Sequence, residues 1–150
     1  MKLAEALLVR ADQKKKLLSL RERIAQNVRA QEGETPAEKV DDLIAQAFAL
    51  LQEQQSLALQ IDRANAQAKL ADGRWLAAAL AERETLAQQH ALLMAAIAAT
   101  QQKADRYSYR EIKWVVQIKV AAIQKQADDL SAKLRELNAR IQEANWQIDI

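Results

Sequence analysis

No cysteine occurs in the 150 residues, which removes disulfide scaffolds, thiolate chemistry and cysteine-based zinc sites. Glycine appears twice and proline once, so the chain has few places to turn and its elements must be long. Aromatic residues make up only 4% of the sequence. That is a poor supply for a sheet core, which favours β-branched and aromatic side chains. Long apolar runs are missing as well. The longest uncharged stretch, residues 85–102, is interrupted by Gln88, Gln89, His90 and Thr100. Its unbroken apolar centre, residues 91–99, is far shorter than the ~20 residues needed to cross a bilayer. The opening stretch, Met1 to Arg10, does not read as a secretory leader, because Glu5 and Arg10 break its apolar run. A cytoplasmic protein is expected.

What is present is helix-forming material. Half the residues are hydrophobic, and alanine alone supplies 31 positions. Alanine and leucine suit close helix–helix packing, since alanine loses no side-chain entropy in a helix. The 22 basic and 20 acidic residues give a net charge of +2, with no concentrated basic face to recruit nucleic acid. The basic residues lean toward the start, where Lys14, Lys15, Lys16, Arg21 and Arg23 cluster. Interspersed Asp12 and Glu22, and the lack of interleaved aromatics, make this a solvated helix face rather than a phosphate or membrane patch.

The spacing predicts one all-α domain of four helices, at about 2–30, 36–71, 74–103 and 121–147, paired as long antiparallel hairpins in a coiled-coil-like bundle. The first stripe reads Leu3, Leu7, Arg10, Lys14, Leu17, Arg21, Ile24 and Val28. Gly33 can end that helix, and Thr35-Pro36-Ala37-Glu38 reads as a capping box that starts the next. The second stripe is Val40, Ile44, Ala47, Leu51, Gln54, Ala58, Ile61 and Asn65, flanked by Leu43, Leu50 and Leu57. Asp72-Gly73 marks the next reversal. The third stripe is Leu76, Leu80, Arg83, Ala87, His90, Met94 and Ile97, and residues 91–99 are apolar on every side, as in a helix surrounded by protein. The fourth, Ile123, Ala127, Leu130, Leu134, Leu137, Ile141, Ala144 and Ile148, carries no charge.

Between the last two helices the pattern changes. Ile112, Trp114, Val116, Ile118 and Val120 alternate with Glu111, Lys113, Gln117 and Lys119. A short extended or β segment near 109–119 is favoured over a helix opened by Ser108 and Glu111. Such a strand has no partner in its own chain, so another subunit or protein would have to complete it. Tyr107, Tyr109, Ile112, Trp114, Val116 and Ile118, with Leu93 and Ile97, are therefore the expected interface. Asn65, Arg83 and His90 are the expected buried polar residues, of the kind that fixes register or oligomeric state. His90 is the single histidine, and no second ligand stands one helical turn away, so no metal or other cofactor is expected. Asp72, Arg74, Glu82 and Arg83 form a polar group, but the sequence offers no nucleophile–base pair or phosphate-cradling loop, and no enzyme is expected.

Several stretches also match a known pattern. They are Lys2-Leu3-Ala4-Glu5-Ala6-Leu7; Leu70-Ala71-Asp72-Gly73-Arg74 with Ala79-Leu80-Ala81-Glu82-Arg83; Arg106-Tyr107-Ser108 with Glu111-Ile112-Lys113; and the ending from Leu137 to Trp146. Together these resemble the septicolysin-like family of small bacterial helical proteins, nearly end to end. The resemblance implies a bacterial, predominantly helical protein, and its label implies a membrane-active cytolysin. It also implies an acid capping the fourth helix, where this chain has Lys119. The reading that follows from the residues themselves is a non-enzymatic homo-oligomer with a structural or interaction role, its partner being itself or an unknown protein. A cytolysin and a metal protein or enzyme built on His90 or residues 72–83 are the alternatives.

Overall fold

A computed structural model describes residues 1–101 and 112–150. Four helices account for the regular structure: α1 (Leu3–Asn27), α2 (Val40–Gln67), α3 (Leu76–Ala99) and α4 (Val120–Gln147). No β-ladder occurs among the described residues; isolated bridge residues stand at Lys2, Lys69, Trp75 and Asp149, of which Lys2 pairs antiparallel with Asp149. The chain divides into two compact units, Met1–Lys69 with Gln142–Ile150, and Leu70–Ile141.

In the first unit α1 and α2 form an antiparallel hairpin. Leu20, only 1% exposed, packs on Leu43, Ala47 and Leu50, with Leu17 and Ile24 beside it. Burial of a leucine of this kind stabilises by roughly 1.5–3 kcal/mol. The stripe that faces inward on α2 is Leu43, Ala47, Leu50, Leu57 and Ile61. The leucines expected to flank the seam therefore form its centre, and Leu51 is exposed. On α1 the buried positions are Leu3, Ala4, Ala6, Leu20 and Asn27, while Lys14, Arg21 and Val28 face solvent. The helix turns about its axis so that charge stays wet and leucine does not.

Helix α2 starts at Val40 rather than at Pro36, because Glu38 is used elsewhere. Its backbone N–H donates to Asn27 Oδ1 (3.1 Å), and its carboxylate accepts from Arg23, Nε lying 2.9 Å from Oε2. With Glu38 drawn across the loop, the capping box expected from Thr35 does not form. Gly33 takes φ +85° inside the loop, next to a turn closed by Glu34 N–H to Gln31 C=O, rather than at the end of α1.

In the second unit a tight turn precedes α3. Leu70 N–H donates to Arg74 C=O (2.8 Å), and Gly73, at φ +86°, donates back to Leu70 C=O (2.9 Å). Arg140 of α4 reaches Asp72 (3.3 Å), which sets the start of α3 beside the C-terminal part of α4. The stripe expected on α4 is buried or half-buried throughout, with Ala127, Leu137, Ile141 and Ala144 fully so. Residues 112–119 are neither helix nor strand. The strand expected there finds no ladder, and Ile112, Trp114, Val115 and Val116 stand exposed alongside Lys113 and Gln117.

The second half of the chain repeats the plan of the first. Helices α2 and α4 are both 28 residues long, and Val40, Gln46, Ala47, Leu50, Leu57, Ile61, Ala64, Asn65 and Gln67 recur as Val120, Gln126, Ala127, Leu130, Leu137, Ile141, Ala144, Asn145 and Gln147. Leu3, Ala6, Leu7, Arg10, Leu20 and Ile24 of α1 recur in α3 as Leu76, Ala79, Leu80, Arg83, Leu93 and Ile97. The hydrogen bonds repeat in the same register. Ala6 N to Lys2 O (3.0 Å) matches Ala79 N to Trp75 O (3.1 Å), and Ala68 N to Ala64 O (2.9 Å) matches Ile148 N to Ala144 O (3.0 Å). Ile150 N to Met1 O (2.9 Å) likewise matches Leu70 N to Arg74 O (2.8 Å).

Candidate functional site

Three places on the chain gather chemistry, and each arises from the sequence around it. The first closes the α1–α2 hairpin. Asn27, 8% exposed, donates from Nδ2 to Arg23 C=O (2.8 Å), satisfying a carbonyl of the last helical turn, and its Oδ1 holds Glu38 N–H. Arg23 grips the Glu38 carboxylate through two nitrogens. That side-chain bond holds the Glu38 carboxyl below its ordinary value and raises the Arg23 guanidinium. A shallow concavity runs beside it, lined in part by Thr35, Pro36 and Asp41.

The second place is the Asp72 turn. Asp72 Oδ1 accepts from Arg74 N–H (3.1 Å) and Oδ2 from Arg74 Nε (3.0 Å). Arg74 Nη1 continues to Glu82 (2.7 Å), while Arg140 joins Asp72 to Glu136 (2.6 Å). Charge alternates along Glu82–Arg74–Asp72–Arg140–Glu136. The Arg74 backbone N–H, then its guanidinium, holds the Asp72 carboxyl below the usual range. A carboxylate so held cannot donate a proton near neutral pH. Of the polar group expected from the sequence, Asp72, Arg74 and Glu82 come together. Arg83 is half-buried on α3, and Arg140, which no local signal in the sequence joins to Asp72, takes its place in the network.

The third place is apolar. Trp114 is 88% exposed and Leu92 of α3 is 72% exposed. Ile112, Val115, Val116 and Met94 are exposed too, while Ile118, Leu93 and Ile97 are half-buried. Tyr107 and Tyr109 lie outside the described residues. His90, Arg83 and Asn65 are half-buried; the fully buried polar side chains among the described residues are Asn27 and Asn145. Asn145 follows Asn65 in the repeat, the signal by which it could have been found. No group of three or more His, Asp or Glu side chains able to hold a metal occurs among the described residues. No helix among them is long and apolar enough to cross a membrane.

Fold and sites together define an all-helical protein whose two halves repeat one sequence pattern, with one ionic cluster at Glu38 and another at Asp72. The chain belongs to a family of unknown function, DUF6847, whose model matches residues 10–150. It is also similar to a solved structure described as a functionally unknown conserved protein from Corynebacterium diphtheriae. The two share 31% identity, with 98% of this chain and 96% of that chain covered, at a TM-score of 0.86. Comparison with curated proteins gives no match. These findings overturn the septicolysin-like resemblance: the family that matches is one of unknown function, and the solved structure is that of a functionally unknown protein. The cytolysin expectation rested on that label and falls with it.

Proposed function

We propose that the protein is a non-enzymatic helical interaction protein that assembles with further copies of itself. The observation that carries this reading is the apolar surface at Ile112, Trp114, Val115 and Val116, exposed together on one short segment. Contiguous apolar surface of this kind marks a site of association, and a large aromatic at its centre is the usual anchor of an interface. The ionic networks at Asp72 and Glu38 support the same reading from the other side. Every charge in them is paired with one of opposite sign, which suits turns that hold a scaffold together better than a site that does chemistry. A cytoplasmic location belongs to the proposal, and cell fractionation tests it. Light scattering on a sizing column at micromolar concentration tests assembly. A mass of two or more times 16.9 kDa is expected, and a single-chain mass would refute it.

A further inference from the structure

Because the two hairpins share one plan, each tells what the other needs in order to fold. The inward positions of α1 and α3 agree: Leu20 and Ile24 of the first correspond to Leu93 and Ile97 of the second. The outward positions do not. Lys15, Ser19 and Glu22 of α1 correspond to Gln88, Leu92 and Ala95 of α3, and all six are exposed. The first hairpin shows that this face is stable when it carries charge. The loss of every charge from residues 85–102 is therefore not a requirement of the hairpin.

We infer that the outward face of the C-terminal half of α3, centred on Leu92 and Ala95, docks against the same face of a second copy of this chain. The inference rests on the self-assembly proposed above and adds the place and the symmetry. Charge decides the occupant. In a two-fold contact a face meets itself, residue i against j and j against i, so a face with an excess of one charge meets that same excess. Helix α1 carries Arg10, Lys14, Lys15, Lys16, Arg21 and Arg23 against three acids, and α2 carries Asp41, Asp42, Glu53 and Asp62 against Arg63. Either would repel its own copy. The outer face of α3 meets its copy with no such cost, and exposed Ala91, Ala95 and Ala98 let two backbones approach closely. A lipid surface is the poorer fit, since interfacial helices carry Lys or Arg on their polar face and this half of α3 has neither.

The test uses the residues that the first hairpin carries at the same places, Leu92→Ser with Ala95→Glu. Helicity and melting temperature should be kept, while association weakens by on the order of 100-fold. An unmodified chain that is a monomer would sink self-assembly as a whole. An unmodified oligomer whose folded double variant stays equally associated would sink only this placement. A second measurement covers a variant that misfolds. The chain has no cysteine, so Ala95→Cys alone should yield a covalent dimer on mild oxidation, and Glu22→Cys, its counterpart, should not. The reverse outcome, or vesicle binding by a monomeric chain, would overturn the docking face.

Discussion

The last turns of α1 and α3, which correspond in the repeat, are finished differently. The first is closed by ions and amides: Arg23, Asn27 and Glu38 lock the last turn of α1 to the loop. At the matching places the second has Ala96 and Thr100, and Thr100 turns its hydroxyl back on its own helix, to Ile97 C=O (2.7 Å). One end is finished within its own hairpin. The other leaves Leu92 and Trp114 in water. Two hairpins with one core pattern and opposite surfaces teach which residues serve the fold and which serve something outside it.

The sharpest test of that division lies in the seams. Leu20→Ala should destabilise by roughly 2–5 kcal/mol, the range for a buried leucine. Its counterpart Leu93→Ala should cost clearly less in the separated chain, since Leu93 is half-buried. Urea unfolding of both variants measures the gap, and equal losses would break the comparison. Next comes a difference that favours the second hairpin. Gln13 Oε1 and Gln54 Nε2 are buried without a hydrogen-bond partner, and the corresponding residues are Leu86 and Leu134. Gln13→Leu with Gln54→Leu should therefore stabilise by about 1–3 kcal/mol, seen as a higher denaturation midpoint. Asn27→Ala removes two hydrogen bonds at the first hairpin end and should cost about 1–2 kcal/mol, against less for Thr100→Ala.

The smallest expected effect is on acid stability. The Glu38 and Asp72 carboxyls are lowered in the folded chain, Glu38 chiefly by Arg23 and Asp72 chiefly by the Arg74 backbone N–H. A group held below its unfolded value adds stability that is complete above that value, near pH 4, and is lost as pH falls through the folded one. Thermal melts from pH 6 down to 2 should thus fall in temperature. Glu38→Gln should flatten part of that fall and leave the part due to Asp72. A pH profile unchanged by Glu38→Gln would show that the clamp contributes nothing.

Much of this architecture was legible from the residues. The scarcity of glycine and proline gave few, long helices, and the uncharged stripe of α4 was read in its true register because no competing leucines stand beside it. In α1 and α2 the stripe was read in part: Leu3, Ala47 and Ile61 are buried as expected, while Lys14, Arg21, Val28 and Leu51 are exposed and the flanking Leu43 and Leu50 pack on Leu20 instead. The start of α2 was misplaced for a similar reason: Thr35 and Glu38 make a good local capping box, and a distant arginine outbids it. Arg140 could not be joined to Asp72 by any local rule. The repeat was hidden because the corresponding exposed positions carry different residues, and it emerges once the helix starts are aligned.

Self-assembly through the uncharged end of the second hairpin is the claim on which the functional reading turns. Sedimentation equilibrium of the unmodified chain beside the Leu92→Ser, Ala95→Glu variant tests it most directly. The unmodified chain should sediment as a multiple of 16.9 kDa and the variant as a folded single chain. Two folded single chains would contradict self-assembly itself, and two folded species equally associated would contradict its placement on α3.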